Sequence, residues 1–285
     1  MLVGRERKPD HNAHSRLYDW FMERNTDIFF DHFGLTPGEG TDRLYDVAAA
    51  FSRIPWENLT KFLLKARGEE RLRMPGEVYE GFARDGTGGT CYSLTEALGS
   101  VLYACGWSVR PLTGHMRHGR NIHCALLAEG VEGVFLLDPG FVVPLPVQLG
   151  RDGGHLDLPG RRLVWTPSGD GWDLHSEENG GKPEWRYHLE SRNLSRKEFI
   201  AFWEDSFNAP GLNSLHINLS LPDRRLSAHN GNLRIAGEKQ RENRKLASDY
   251  GASVAEAFGL SAGLAEHAWS ELIRLQMERR GRVGS

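Results

Sequence analysis

Only three cysteines, Cys91, Cys105 and Cys124, occur in 285 residues. That is too few for a disulfide framework, which excludes a small cross-linked secreted domain and points to a reducing compartment. Positive charge is not in surplus either. Lys+Arg is 35 against Asp+Glu at 38, a net charge of −3. A protein that binds by neutralising phosphates carries the opposite balance, so no nucleic-acid partner is expected. Long apolar runs are missing. Stretches such as Val134–Leu137 fall far short of the roughly 20 residues of a membrane-spanning helix, so no membrane partner is expected. Met1–Asp10 is charged (Arg5, Glu6, Arg7, Lys8) and lacks the apolar core of a signal peptide, so a cytoplasmic protein is the expectation. There is no internal repeat and no low-complexity tract. The glycines of Gly86–Gly89 are not followed by the Lys-Ser/Thr of a phosphate-binding loop, and no strand–GxGxxG–helix unit is present. His115, His118, His123 and Cys124 have no matching second cluster, so no metal site is expected.

What remains is globular in composition, 39% hydrophobic and 26% charged. Leu17, Trp20, Phe21 and Ile28 recur at helical spacing to about Phe33. Leu44, Val47, Ala48 and Phe51 continue the pattern after Pro37-Gly38, and Pro55 ends it. Leu94, Ala97, Leu98, Val101, Leu102 and Cys105 form one apolar helix face, with Gly106 placed to cap it. Strand-like runs follow at Ser108–Leu112, Ile122–Ala128, Val134–Asp138, Arg161–Trp165 and Trp185–Leu189, as in a small sheet or barrel. Asp170–Lys182 is polar and glycine-rich and reads as a long hairpin loop. A helix is predicted at Lys197–Phe207, strands at Ser214–Leu219 and Asn232–Ile235, and a helical tail from about Ala247. Helices first, then strands, then a mixture argue for an α+β fold.

Cys91 is the most informative residue. It stands at the predicted start of the buried helix, directly after a glycine cluster. Free amides and the positive end of the helix dipole stabilise an anion there, which lowers a thiol's pKa. By itself, a cysteine in that position is more often a small apolar residue. A nucleophilic thiol needs a base, and the base an orienting group. His123 and Asp138 offer both. A two-residue loop at Gly130-Val131 pairs Glu129 with Glu132, and that register carried back sets His123 opposite Asp138, with Cβ atoms about 4.5–5.5 Å apart. Alone, the two read equally well as a surface cross-strand pair. Together with Cys91 they favour a Cys–His–Asp triad. Cys105 and Cys124 fit buried, inert positions.

Four ordered segments carry a family resemblance: Ile54-Pro55-Trp56-Glu57-Asn58-Leu59, Gly88-Gly89-Thr90-Cys91, His123, and Asp138-Pro139-Gly140-Phe141. The set resembles the arylamine N-acetyltransferases, with weaker likeness from about Phe30 to Leu272. Thr87 stands where that family has Arg, Thr90 where it has an aromatic residue, Ser93 where it has an acidic one, and Val142 where it has Gly. The resemblance implies a divergent member with a cysteine-proteinase-like core. Its parts would be a helical lobe (1–85), a nucleophile helix with a central antiparallel β-barrel (86–190), and an α/β lid with a C-terminal helix (191–285). It implies Cys91, His123 and Asp138 as catalytic residues, substrate contacts from Phe141, Asn213 and Ser214, and no tightly bound cofactor. The implied partners are a small-molecule acyl donor, acetyl coenzyme A, and an amine acceptor; the oligomeric state is left open. The implied reaction is ping-pong acyl transfer through an acyl-cysteine to an aromatic amine or hydrazine. An amide synthase fed by a carrier protein, a transglutaminase-like cysteine hydrolase and a catalytically silent member of the fold are the alternatives.

Overall fold

The computed structural model describes residues 25–221, 223–237, 241–246 and 249–283. The charged N-terminal ten residues and the helix expected before Asn25 lie outside them. The N-terminal part holds α1 (Thr26–Phe33), α2 (Thr41–Phe51), a two-residue strand β1 (Trp56–Glu57), α3 (Leu59–Ala66), α4 (Pro75–Asp85) and α5 (Cys91–Ala104). Nine strands follow that segment: β2 (Ser108–Met116), β3 (Gly119–Gly130), β4 (Gly133–Leu137), β5 (Val147–Leu149), β6 (Gly154–Leu158), β7 (Arg161–Ser168), β8 (Gly171–Glu178), β9 (Glu184–Glu190) and, after α6 (Arg196–Asp205), β10 (His216–Ser220). The chain closes with β11 (Arg224–His229), β12 (Asn232–Gly237), β13 (Arg241–Lys245), α7 (Tyr250–Phe258) and α8 (Ala262–Val283). The result is an α+β fold.

Two antiparallel sheets organise the described residues. The larger runs β5-β4-β3-β2-β9-β8-β7-β6. Its two edge strands are consecutive in sequence and joined by a Gly150–Gly153 bridge, so the sheet curls into a nearly closed barrel. The smaller runs β1-β10-β11-β12-β13. Residues from the N-terminal part therefore enter the C-terminal sheet, because Trp56 and Glu57 pair with Asn218 and Ile217.

α5 is the pivot. Every residue from Cys91 to Leu102 is buried, not one face only. Leu94, Leu98 and Val101 join Phe29, Leu44 and Val47 of the helices and Leu126 and Phe135 of the sheet in one apolar cluster. Its polar residues survive burial because each finds a partner. Glu96 accepts from Arg196 at 2.5 Å, and Ser100 shares a 2.6 Å hydrogen bond with the Tyr79 hydroxyl. Gly106 ends the helix with a φ of 84°, as its position predicts.

Two sequence expectations are corrected. The β3–β4 turn is Val131-Glu132, with Gly130 paired to Gly133, so the register is displaced by two residues from the expected one. Neither turn residue has positive φ. The unusual backbone is taken up by Gly133 at φ 137°, and Gly130 is a glycine because a Cβ there would lie 2.6 Å from the Trp107 ring. A two-residue shift preserves the strand face, so His123 and Asp138 stay on one side as diagonal neighbours and not as a direct pair. Second, most of Asp170–Lys182 is strand. β8 alternates, with Leu174 and Ser176 buried toward the barrel and polar neighbours outward. Its polarity is that of a strand with one wet face.

Candidate active site

Cys91 is the first residue of α5, held there by the preceding glycines. A Cβ on Gly88 would sit 1.8 Å from the Pro55 carbonyl oxygen, and one on Gly89 2.3 Å from Ser93 Oγ. These contacts fix the Gly-Gly turn against the Ile54–Leu59 segment, and Glu57 N–H donates to the Gly89 carbonyl at 3.0 Å. An arginine from the α3–α4 connection reaches the Gly-Gly turn. Arg73 donates to the Gly88 carbonyl at 2.5 Å and to Thr60 Oγ1 at 2.9 Å, and lies 3.6 Å from the fully buried Glu57 carboxylate. No local signal marks Arg73, because its partners are distant in sequence.

His123 lies on β3 and faces the barrel interior. Its Nε2 is 3.0 Å from Asp138 Oδ2, and both side chains are buried. Asp138 follows the last residue of β4. Its Oδ1 accepts from Phe141 N–H at 2.8 Å and its Oδ2 from the Tyr187 hydroxyl at 2.5 Å. Tyr187 in turn accepts from Trp165 Nε1 at 3.0 Å and stacks on His123 with centroids 4.6 Å apart. Asp138 is thus a pure acceptor, and Nε2 must carry the proton it receives. That leaves Nδ1 for the thiol side. Gly140 seals the junction: a Cβ there would lie 2.6 Å from Cys91 Cβ and 3.0 Å from His123 Cε1. Val142, where the family motif has glycine, adopts φ 58°, a left-handed conformation that strains a β-branched residue.

The neighbouring residue Cys124 points the other way, onto α5. Its Sγ donates to Thr95 Oγ1 at 3.3 Å, and Thr95 lies one helical turn after Cys91. Cys124 is therefore not a remote core thiol but a neighbour of Cys91. The Cys91 thiol is held well below its usual range first by the adjacent Cys124 side chain, then, against the opposing effect of burial, by the His123 hydrogen bond and charge and by Lys61. Burial and the adjacent Cys91 push Cys124 up. Burial opposes charge on His123, but Asp138 and then Cys91 prevail and raise it to about 10. Burial lowers Lys61 to about 8, although Cys91 draws it back upward. Its ammonium sits 4.4 Å over the Phe207 ring.

The structure therefore brings together Cys91, His123, Asp138 and Phe141, whose ring meets Tyr187 edge-on at 5.4 Å. Asn213 and Ser214 lie directly before β10, where the Ser214 carbonyl accepts from Asn58 Nδ2 at 2.8 Å. Asn213 Oδ1 accepts from Arg279 at 3.0 Å, and Ser214 Oγ shares a 2.8 Å hydrogen bond with His216 Nε2. Among the described residues no cluster of His, Cys, Asp and Glu could hold a metal ion, and no helix is long and apolar enough to cross a membrane.

Two predictions arise here. The depressed thiol pKa keeps the thiolate as pH falls, and the raised imidazole pKa keeps the cation as pH rises to about 10. The ion pair spans that window, and its stabilisation is lost at both ends. Alkylation of Cys91 by a small reagent should change less than about threefold between pH 6 and 8.5. A peptide thiol with a pKa of about 8.5 should change by more than about a hundredfold. Peptide mapping of the labelled protein checks it. The other prediction is that Gly140→Ala wedges Cys91 from His123, so alkylation at pH 6 falls at least about tenfold while the circular dichroism spectrum is retained.

A buried cysteine with a depressed pKa beside a histidine is the arrangement of an activated thiol, and the family match adds the reaction class: the protein is an N-acyltransferase. The sequence profile of the N-acetyltransferase family matches residues 42–263. The chain belongs to the arylamine N-acetyltransferase family, as a divergent member. Similar solved structures are the arylamine N-acetyltransferases of Mycobacterium smegmatis (22% identity, TM-score 0.74, 87% of this chain and 98% of that one) and Mycobacterium marinum, in complex with CoA (19%, 0.73, 87% and 99%). A Bacillus cereus enzyme, described as having a unique Cys-His-Glu catalytic triad, matches at 16% identity and TM-score 0.64, covering 84% and 100%. No curated protein matches the sequence.

Proposed function

We propose that this chain transfers an acetyl group from coenzyme A, through a thioester on Cys91, to an aromatic amine or hydrazine. The observation that carries the reading is the Cys91–His123–Asp138 constellation: a depressed thiol at a helix start, and an imidazole whose far nitrogen is committed to a carboxylate. The thiolate attacks the donor's carbonyl carbon. The negative charge that develops on the carbonyl oxygen meets the α5 N-terminal amides, where Thr90 supplies no side-chain cap. Collapse breaks the donor's carbon–sulfur bond, and His123 protonates the departing thiolate. In the second half the amine attacks the acyl-cysteine, His123 takes its proton, and the Cys91 thiolate leaves.

Acceptor choice follows from protonation. An amine must be neutral to attack. Weakly basic aromatic amines and hydrazines are neutral at pH 7, whereas an alkylamine with a pKa of about 10.4 is almost wholly charged. For the donor, we keep Asn213 and Ser214 as contacts. Ser214 leads into His216, which with Arg234, Arg244 and Lys245 lines a groove of about 590 Å³ suited to phosphates.

Intact mass spectrometry should show one acetyl group on Cys91 after incubation with acetyl coenzyme A, discharged on adding an arylamine. Initial rates over a grid of both substrates should give parallel double-reciprocal lines. Intersecting lines would contradict the covalent route. Acylation only from a carrier-bound thioester would replace the donor.

A further inference from the structure

Beside the nucleophile lies a second thiol for which the transfer chemistry has no use. Cys124 leaves β3 on the face opposite His123 and meets the first turns of α5, where Cys91 stands. Thr95 holds it at two points. The Thr95 hydroxyl donates to the Cys124 carbonyl at 3.3 Å, and the Cys124 thiol donates back to Thr95 Oγ1, also at 3.3 Å. Cys91 touches the same strand, its Sγ lying 3.6 Å from the Ile122 carbonyl oxygen. Gly140 closes the junction: a Cβ there would lie 2.6 Å from Cys91 Cβ and 3.2 Å from the Cys124 carbonyl oxygen. The two cysteine side chains are in hydrogen-bond contact, and they share one apolar cluster with Tyr92, Phe199 and Trp203. The third thiol, Cys105, is out of reach. It follows the last turn of the same helix, about 20 Å along the axis from Cys91.

The two thiols differ in charge and in access. Cys91 is a thiolate and 7% exposed, whereas Cys124 stays protonated and is fully buried. The thiolate is the form that a peroxide oxidises. Attack of the Cys91 thiolate on hydrogen peroxide forms a sulfur–oxygen bond and breaks the oxygen–oxygen bond. The hydroxide released takes the His123 imidazolium proton and leaves as water. Cys91 is then a neutral sulfenic acid, and the negative charge that helped to push Cys124 up is gone. The Cys124 sulfur attacks the Cys91 sulfur. A sulfur–sulfur bond forms, the sulfur–oxygen bond breaks, and the hydroxyl leaves with the Cys124 proton as a second water. The peroxide gains two electrons, and the two cysteines together give them up.

We propose that Cys124 is the resolving partner of Cys91, and that the pair is an oxidative modification site at which hydrogen peroxide closes an intramolecular disulfide. The bond takes the nucleophile out of use reversibly, because a dithiol reductant reopens it by exchange. Without Cys124 the sulfenic acid waits for a second peroxide, which carries it to the sulfinic acid that thiols do not reduce. A buried thiol already in contact reacts ahead of one that must enter from solution. The inference needs Cys91 as a thiolate and does not rest on the acetyl transfer proposed above.

The test treats the protein with a small excess of hydrogen peroxide, unfolds it in the presence of an alkylating reagent, and reads intact mass and tryptic peptides. Before alkylation the wild type should have lost two hydrogens. Only Cys105 should then be alkylated, and one peptide should be linked through Cys91 and Cys124. Dithiothreitol given after the peroxide should restore alkylation of Cys91. Cys124→Ser should instead gain two oxygens on Cys91, and the Cys91 recovered by dithiothreitol should fall at least about tenfold below wild type. Cys124→Ala should behave in the same way, and should neither variant fold, the wild-type peptide map decides alone. Oxygen gain on wild-type Cys91 without the loss of two hydrogens overturns the inference. So does a disulfide through Cys105 or between two copies, or equal recovery in wild type and a folded Cys124 variant. A wild type that forms the disulfide but never carries an acetyl group on Cys91 would overturn the proposed transfer and leave this inference standing.

Discussion

Asp138→Asn should lower turnover by about ten-thousandfold while the protein remains folded, the scale seen when a triad carboxylate becomes an amide. The reason is directional. Asp138 receives three donors: Phe141 N–H on one oxygen, and Tyr187 O–H and His123 Nε2 on the other. An asparagine can keep its carbonyl toward only one side. With the carbonyl on Phe141, its amide group meets His123 and draws Nε2 into the acceptor role. The proton then moves to Nδ1, and the nitrogen facing Cys91 can no longer act as a base. The charge that holds the imidazole at about 10 also disappears, so the thiolate loses its counter-ion. Alkylation of Cys91 should then follow pH like an ordinary buried thiol, which a rate profile from pH 5 to 9 would show. Turnover within about tenfold of wild type would mean that another group orients His123. The Tyr187 hydroxyl is the first to examine, through Tyr187→Phe.

Cys91→Ser should remove measurable acyl-enzyme and reduce turnover by at least about 10⁴. Serine preserves the shape of the site and its place at the start of α5, so the fold should persist. The hydroxyl is not brought into its anionic form by surroundings tuned to a thiol, however. The Cys124, His123 and Lys61 influences that depress the Cys91 thiol act on a group whose free pKa is about 8.5. They fall far short of ionising an alcohol. Intact mass after incubation with acetyl coenzyme A is the measurement, with wild type as reference. Acetylation of the serine variant at the wild-type rate would place the nucleophile elsewhere, and Cys124, the adjacent thiol, would be tested next.

The histidine–carboxylate pair shows how local and nonlocal information divide. The sequence placed His123 and Asp138 on one face through an assumed turn at Gly130-Val131. The actual turn lies one residue later, yet the face was right because a two-residue displacement preserves side-chain alternation. Helix α5 was legible for a similar reason. Its apolar spacing, the glycines before Cys91 and Gly106 after it are signals carried within one segment. β8 was not legible, because its hydrophilic stretch becomes a strand only when β7 and β9 supply hydrogen bonds on both sides.

By itself, then, the sequence determined where the Cys91 helix begins, the α+β order of elements and the candidate thiol, imidazole and carboxylate, since periodicity, capping and motif spacing all act over a few residues. Only the tertiary structure decided that Arg73 holds the Gly88 carbonyl, that Tyr187 and Trp165 tie down Asp138, that Cys124 lies beside Cys91, and that Arg161 shares its carboxylate with Arg225. Each of these is a contact between segments far apart in the chain. A buried charge or hydroxyl is satisfied by whichever group the folded chain brings within about 3 Å, and no local pattern encodes which group that will be.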